Sequence, residues 1–198
     1  MLIIAPHEEK LDPRVKRTRN LIEQAFSALL AEKGFNSISV QDITERAEVN
    51  RATFYAHFSD KFALLEHSIR QAFKQELDKR TLSVCHYSEA NLYALLVTVC
   101  EFVAQANSHC RAAENQFESL LEMQVKKQVQ ELLEMWLQKT GSEIDPKMAA
   151  IAASWAAYGL ALQWSHTKNR PTAEAYARTI LPIVAGNLWL KTSIPLAA

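Results

Sequence analysis

The chain has 198 residues, and its 22 lysines and arginines balance 22 aspartates and glutamates, so the formal net charge is zero. That balance excludes a global electrostatic pull toward nucleic acid; any attraction for phosphate has to be local. Only four glycines and six prolines interrupt a sequence that is 48% hydrophobic, and apolar residues recur three and four apart rather than alternating, which predicts an all-α fold large enough to bury a core.

The first ten residues, MLIIAPHEEK, have no charged leading segment and too short an apolar run for a secretory signal. Residues 12–19 then hold a local basic excess, Arg14, Lys16, Arg17 and Arg19, which by itself reads as the solvated first turn of a helix. That helix is expected from Pro13 to Gly34, with Ile22, Ala25, Phe26, Leu29 and Leu30 as its apolar stripe and a glycine suited to its C-terminal cap. Ser39 and Asp42 have capping-box spacing, so a second helix starts at Val40 and buries Val40, Ile43 and Ala47. Glu48, Val49 and Asn50 form a short turn, and Asn50 is a good N-cap for a third helix beginning at Arg51.

The third helix reads RATFYAHF. Phe54 and Phe58 are four apart and share a face that can be buried, which leaves Ala52, Thr53, Tyr55 and Ala56 on the opposite side. Two short helices joined by a three- or four-residue turn behind a longer first helix make a helix-turn-helix, whose second helix enters the major groove; small alanines let its backbone sit deep. Ser59 and Asp60 are expected to cap a fourth helix running to about Leu82. Further helices are expected at 89–107, 111–118, 119–139, 146–167 and 172–190, the last with Pro182 inside it, where a bend or local break is predicted.

The run SVQDITERAEVNRATFYAHFSDKFALL, within residues 17–65, resembles the DNA-binding domain of the TetR/AcrR family of bacterial transcriptional regulators. Cap, turn, reading helix and the closing Tyr-x-His-Phe-x-x-Lys occur in the family's order. The resemblance implies about nine helices, with an arm at 1–12, a DNA-binding domain at 13–59 and a ligand-binding and dimerisation domain at 60–198. By position it implies that Arg51, Ala52 and Thr53 lie against base edges of double-stranded DNA, and that Ser39, Tyr55, His57 and Lys61 hold phosphates. Arg17 and Asn50 join them at the edges of the same surface, the arginine reaching the flanking backbone or a minor groove. From residue type alone, Tyr55 also suits an ordinary surface, and His57 a helix C-terminus that favours positive charge. The family commonly has glycine where Glu48 and Ala52 stand. A side chain at Glu48 is expected to strain the backbone or shift the turn type.

In the second domain, Phe102, Phe117, Met123, Trp136, Trp155 and Tyr158 suit either a ligand cavity or plain core, with His109 and Arg111 as polar partners for a small, largely apolar effector. The apolar run 148–164 is mostly alanine and includes Ser154 and Gln163, which predicts a close-packing helix rather than a membrane span. Its face Ala149, Ala153, Ala156 and Ala157, with Ile180, Leu181, Val184 and Leu188 of the last helix, is the predicted seam of a homodimer on a palindromic operator. Cys85, Cys100 and Cys110 are odd in number and form no CxxC, which fits a reducing, cytoplasmic setting. The Cys85–His86 and His109–Cys110 pairs are separated by roughly 20 helical residues, about 30 Å, too far apart for one zinc site. No cofactor, metal or membrane partner is expected. An enzyme is the rival class, but no HExxH, GxSxG or glycine-rich phosphate loop occurs; a helical interaction module without DNA is the other, and salt-sensitive duplex binding separates it.

Overall fold

A computed structural model describes residues 12–80, 82, 86–109, 115–138 and 145–189. Eight helices and no strand occur among the described residues: α1 (Pro13–Lys33), α2 (Val40–Arg46), α3 (Arg51–His57), α4 (Lys61–Lys79), α5 (Glu89–His109), α6 (Asn115–Gln138), α7 (Pro146–His166) and α8 (Ala173–Trp189). The two helices expected at 111–118 and 119–139 are one continuous α6, because nothing between Asn115 and Gln138 supplies a glycine, proline or cap to stop it. α8 likewise continues through Pro182; the proline only withholds the N–H that Arg178 O would have accepted. The chain divides into two compact units after Leu65, one turn inside α4 rather than at the expected boundary before it. The arm is described only at Asp12, and Cys85, Cys110 and Arg111 lie outside the described residues, as does the side chain of His109.

Unit one closes on Ile22, Phe26, Phe35, Ile43 and Phe54, each no more than 1% exposed. Phe35 meets Phe26 and Phe62 edge-on, at 6.3 and 5.2 Å between ring centroids. Asp12 caps α1 by accepting from Arg14 N at 2.8 Å, and α1 stops at Gly34, whose φ of 74° few other residues tolerate.

In unit two, α7 packs against α5, α6 and α8, and α8 also against α5. α7 can do so because its buried positions are mostly small: Ala149, Ala150, Ala153, Ser154, Ala157 and Ala161, with Tyr158 and Trp164 filling the remaining space. Opposite them lie Leu95, Leu96, Val99 and Val103 of α5 and Leu133 and Trp136 of α6, all essentially without solvent exposure. Among the described residues no helix is long and apolar enough to cross a membrane.

Candidate nucleic-acid interface

The reading surface starts with how α2 is held. Ser39 Oγ accepts from Asp42 N at 3.1 Å, while Ser39 N donates to Asp42 Oδ2 at 2.7 Å and Ser39 Oγ donates to the same oxygen. The Lys33 ammonium, 2.8 Å from Asp42, and then Ser39 hold the Asp42 carboxyl well below the usual carboxylate range. A carboxyl depressed in this way contributes stability above its unfolded pKa and loses it as pH falls through the folded value. Both donors of Ser39 are thus engaged in the capping box, and the phosphate contact expected of it would have to draw one of them away.

α2 ends in a six-residue closure. Val49 N donates to Thr44 O at 3.0 Å and Glu48 N to Glu45 O at 3.3 Å, the bond pair that requires a left-handed residue between them. Glu48 takes that place with φ 55°. The expected strain at Glu48 is present, in a position where a glycine would incur none. The turn then delivers Asn50, whose Oδ1 accepts from Thr53 N at 2.7 Å and Thr53 Oγ1 at 2.9 Å. The Thr53 hydroxyl has given its proton to the cap, so toward a base it offers only acceptor lone pairs and its methyl group.

α3 is sorted by face as its spacing predicted. Phe54 is 0% and Phe58 4% exposed, their rings 6.0 Å apart, while Arg51, Ala52, Tyr55 and Ala56 are exposed and Thr53 and His57 half-buried. Arg19 lies over the Phe58 ring at 5.1 Å, tying α1 to the end of α3. The exposed side chains of Arg14, Lys16, Arg17 and Arg51 have no ion-pair partner among the described residues. Arg17 borders an open cleft with Arg46, which is itself engaged with Glu32 at 2.7 Å.

Lys61 is placed differently from expectation. Its Nζ donates to Ile38 O at 2.9 Å, Phe35 O at 3.2 Å and Asn36 O at 3.5 Å, and lies 4.6 Å from the Phe35 ring centroid. The ammonium clasps the loop between α1 and α2 instead of presenting to phosphate. Asp60 Oδ1 meanwhile occupies Phe62 N and Ala63 N, both at 2.8 Å, so these N–H groups of α4 are not free for an anion either. Lys61→Met, which keeps the stem and removes three donor contacts, is expected to lower unit-one stability by about 1–3 kcal/mol in urea unfolding. Lost DNA affinity at unchanged stability would restore the phosphate role.

The residues expected to line a ligand site in unit two do not converge. Trp136 and Phe117 are buried at 0% and 6% exposure, Trp155 and Met123 face solvent at 62% and 45%, and Phe102 packs 4.9 Å from Phe73. Tyr158 does line a cavity. That cavity, about 270 Å³, is built by Asn107 of α5, Glu118, Ser119 and Glu122 of α6, and Tyr158, Leu162 and His166 of α7. Burial, and behind it the charges of Glu122 and Glu118, push the Tyr158 phenol above its ordinary range. The sequence signal for these carboxylates is their spacing of four, which puts both on one face of α6, the helix before the tyrosine's.

The expected dimer seam is also corrected. Ala149, Ala153, Ala157, Ile180, Val184 and Leu188 are each 0–3% exposed within the single chain, and Ala156 and Leu181 are half-buried. That face is already used by the chain's own packing. The exposed stripe of α7 is instead Met148, Ala152, Trp155, Gly159 and Gln163, and that of α8 includes Ala175, Thr179, Pro182 and Ile183.

Residues 22–67 match the family model described as bacterial regulatory proteins, tetR family. Over these residues the N-terminal unit is similar to the bacterial regulatory proteins of the tetR family. A Bacillus subtilis (strain 168) relative, the uncharacterized HTH-type transcriptional regulator YxbF, is 38% identical over 77 residues, spanning 38% of this chain but only 20% of that protein. Solved tetR-fold structures extend the likeness along the chain. The fatty acid degradation regulator FadR from Bacillus halodurans superposes with a TM-score of 0.53 at 17% identity over 89% of this chain and 99% of its own. RolR in complex with resorcinol does so with a TM-score of 0.55 at 16% identity over 93% and 97%. At such identities the likeness is one of fold alone.

Proposed function

We propose that this protein is a homodimeric transcriptional regulator that reads a palindromic DNA operator with α3 and releases it, as a repressor does, when unit two binds a small molecule. The observation that carries the reading is the division of α3: Phe54 and Phe58 anchor it, while Arg51, Ala52, Tyr55 and Ala56 form a thin, exposed face free to approach a groove. Alanines at the contact allow close backbone approach, Arg51 offers a bidentate donor for guanine, and the free Tyr55 hydroxyl suits a phosphate oxygen. The Asn50 amide N–H groups, left over from capping, suit another. The solved complex of the fold neighbour RolR with resorcinol supports an effector in unit two. α4 has residues in both units and is the covalent route between them. An effector matters only if it binds the DNA-competent and DNA-incompetent states unequally.

The test is recovery of bound genomic fragments, then fluorescence anisotropy on the recovered site across a salt series. Tyr55→Phe is expected to weaken binding to all sequences alike. Arg51→Ala is expected to relax preference at one base pair by roughly 1–3 kcal/mol and to flatten the salt dependence. Parent-like binding by both variants would overturn the docking of α3.

A further inference from the structure

The cavity between α5, α6 and α7 is chemically one-sided. Glu118 and Glu122 stand one turn apart on α6 and line it together. Glu122 is compensated by Lys126 at 2.6 Å, whereas Glu118 has no ion-pair partner among the described residues. Asn107 has committed its Nδ2 to Ser165 Oγ at 2.8 Å, with His166 Nε2 3.4 Å away, so what it has left to offer is its carbonyl oxygen.

Tyr158 is the independent sign of a ligand. The residue is only 4% exposed and lines the cavity, yet its hydroxyl has no hydrogen-bond partner among the described residues. The hydroxyl is not sealed off as a fully enclosed atom would be; it opens onto the cavity, where a guest's polar group can take the place of water. Opposite charge is what the site lacks. Glu118 is exposed on its outer side; a neutral guest covers its cavity side with nothing in return and an anion adds repulsion, but a cation offsets the cost. Leu162 supplies apolar wall, and the volume lies near the lower end of the range for small-molecule sites, roughly 300–1,000 Å³. No group of three metal-ligating side chains exists among the described residues, which favours an organic cation over a metal ion.

We propose that this cavity binds a small protonated amine with an apolar body, its ammonium donating to Glu118, Glu122 and the Asn107 carbonyl, and the Tyr158 hydroxyl completing the polar contacts. The proposal rests on reading unit two as an effector domain and names the chemical class of the effector.

The experiment is calorimetric titration of the full chain with butylamine, 2-phenylethylamine and tryptamine, with 2-phenylethanol and phenylacetate as neutral and anionic counterparts. Saturable binding by at least one amine is expected, with the alcohol about ten- to a hundredfold weaker and phenylacetate silent. Glu118→Gln and Tyr158→Phe, both near-isosteric, are each expected to weaken the amine about tenfold or more. No saturable binding by any of the three amines overturns the proposal. So does an alcohol that binds as tightly as its amine, or a Glu118→Gln variant with parent affinity. Anisotropy on labelled operator DNA runs in parallel. Amine binding that leaves DNA affinity unchanged upholds the amine site and overturns the switch assigned to unit two. DNA release by phenylacetate or 2-phenylethanol with the amines silent overturns the amine site while the regulator reading stands.

Discussion

Phe54→Ala is expected to unfold the N-terminal unit, with a loss of about 3–5 kcal/mol, whereas Ala56→Glu, two residues on, leaves the fold intact and abolishes DNA binding. Phe54 is 0% exposed, its ring 5.5 Å from Tyr55 and 6.0 Å from Phe58, and truncation leaves a cavity that a seven-residue helix, with Phe58 and its Arg19 contact as the remaining anchor, cannot close. A unit this small has a net stability of the same order as the loss, so the variant sits near or past its unfolding midpoint. Ala56 is exposed, and glutamate is a good helix former, so its effect on stability is expected within about 0.5 kcal/mol. It places a carboxylate on the face proposed to meet phosphates, where like charge opposes docking at every sequence. Urea unfolding followed by circular dichroism, with anisotropy on labelled DNA, separates the two. Ala56→Glu protein that is folded and binds DNA like the parent would remove α3 from the interface.

What could be read from the sequence was what local chemistry fixes. The capping box at Ser39 and Asp42, the Asn50 cap and the two-faced α3 each depend on residues within four of one another, and each formed as expected. The loop contacts of Lys61 are invisible in the sequence because a four-carbon stem reaches carbonyls 23 to 26 residues away, a partner no local pattern reveals. The cavity was missed for a related reason. Large aromatic residues draw attention as walls, yet Trp136 became core and Trp155 surface, while Glu118 and Glu122 resemble any solvated face until α7 brings Tyr158 beside them. α7 was misjudged in rotation rather than in existence. Its core face is alanine and its solvent face mixes methionine, tryptophan, alanine and glycine, so polarity alone does not say which side is in.

That rotation decides where the proposed dimer would form, and the expected outcome is a reversal of the obvious mutation. Ala153→Glu buries a charge at a site with 0% exposure and is expected to unfold unit two instead of producing folded monomers. Trp155→Glu and Ile183→Glu, at positions 62% and 54% exposed, are expected to stay folded and dissociate the dimer. The physical case lies in the two outward stripes. Met148 and Ile183 expose large apolar surface, as does Trp155 beyond the ring contact it makes with Lys126, and outward apolar surface of this kind suits a partner. Between them Gly159 and Gly186 have nothing within 4 Å of where a Cβ would stand, so a partner helix could approach the backbone directly there. A two-fold seam meets each introduced charge with its own copy, so one substitution acts twice and the repulsion is desolvated. Sedimentation velocity of the parent at micromolar concentration should give a dimer, and of either glutamate variant a monomer with unchanged far-ultraviolet circular dichroism. DNA binding should fall with dimerisation, because a monomer engages one half-site and forfeits the second, intramolecular contact. A parent that sediments as a monomer, or glutamate variants that remain dimeric, would move the seam off α7 and α8.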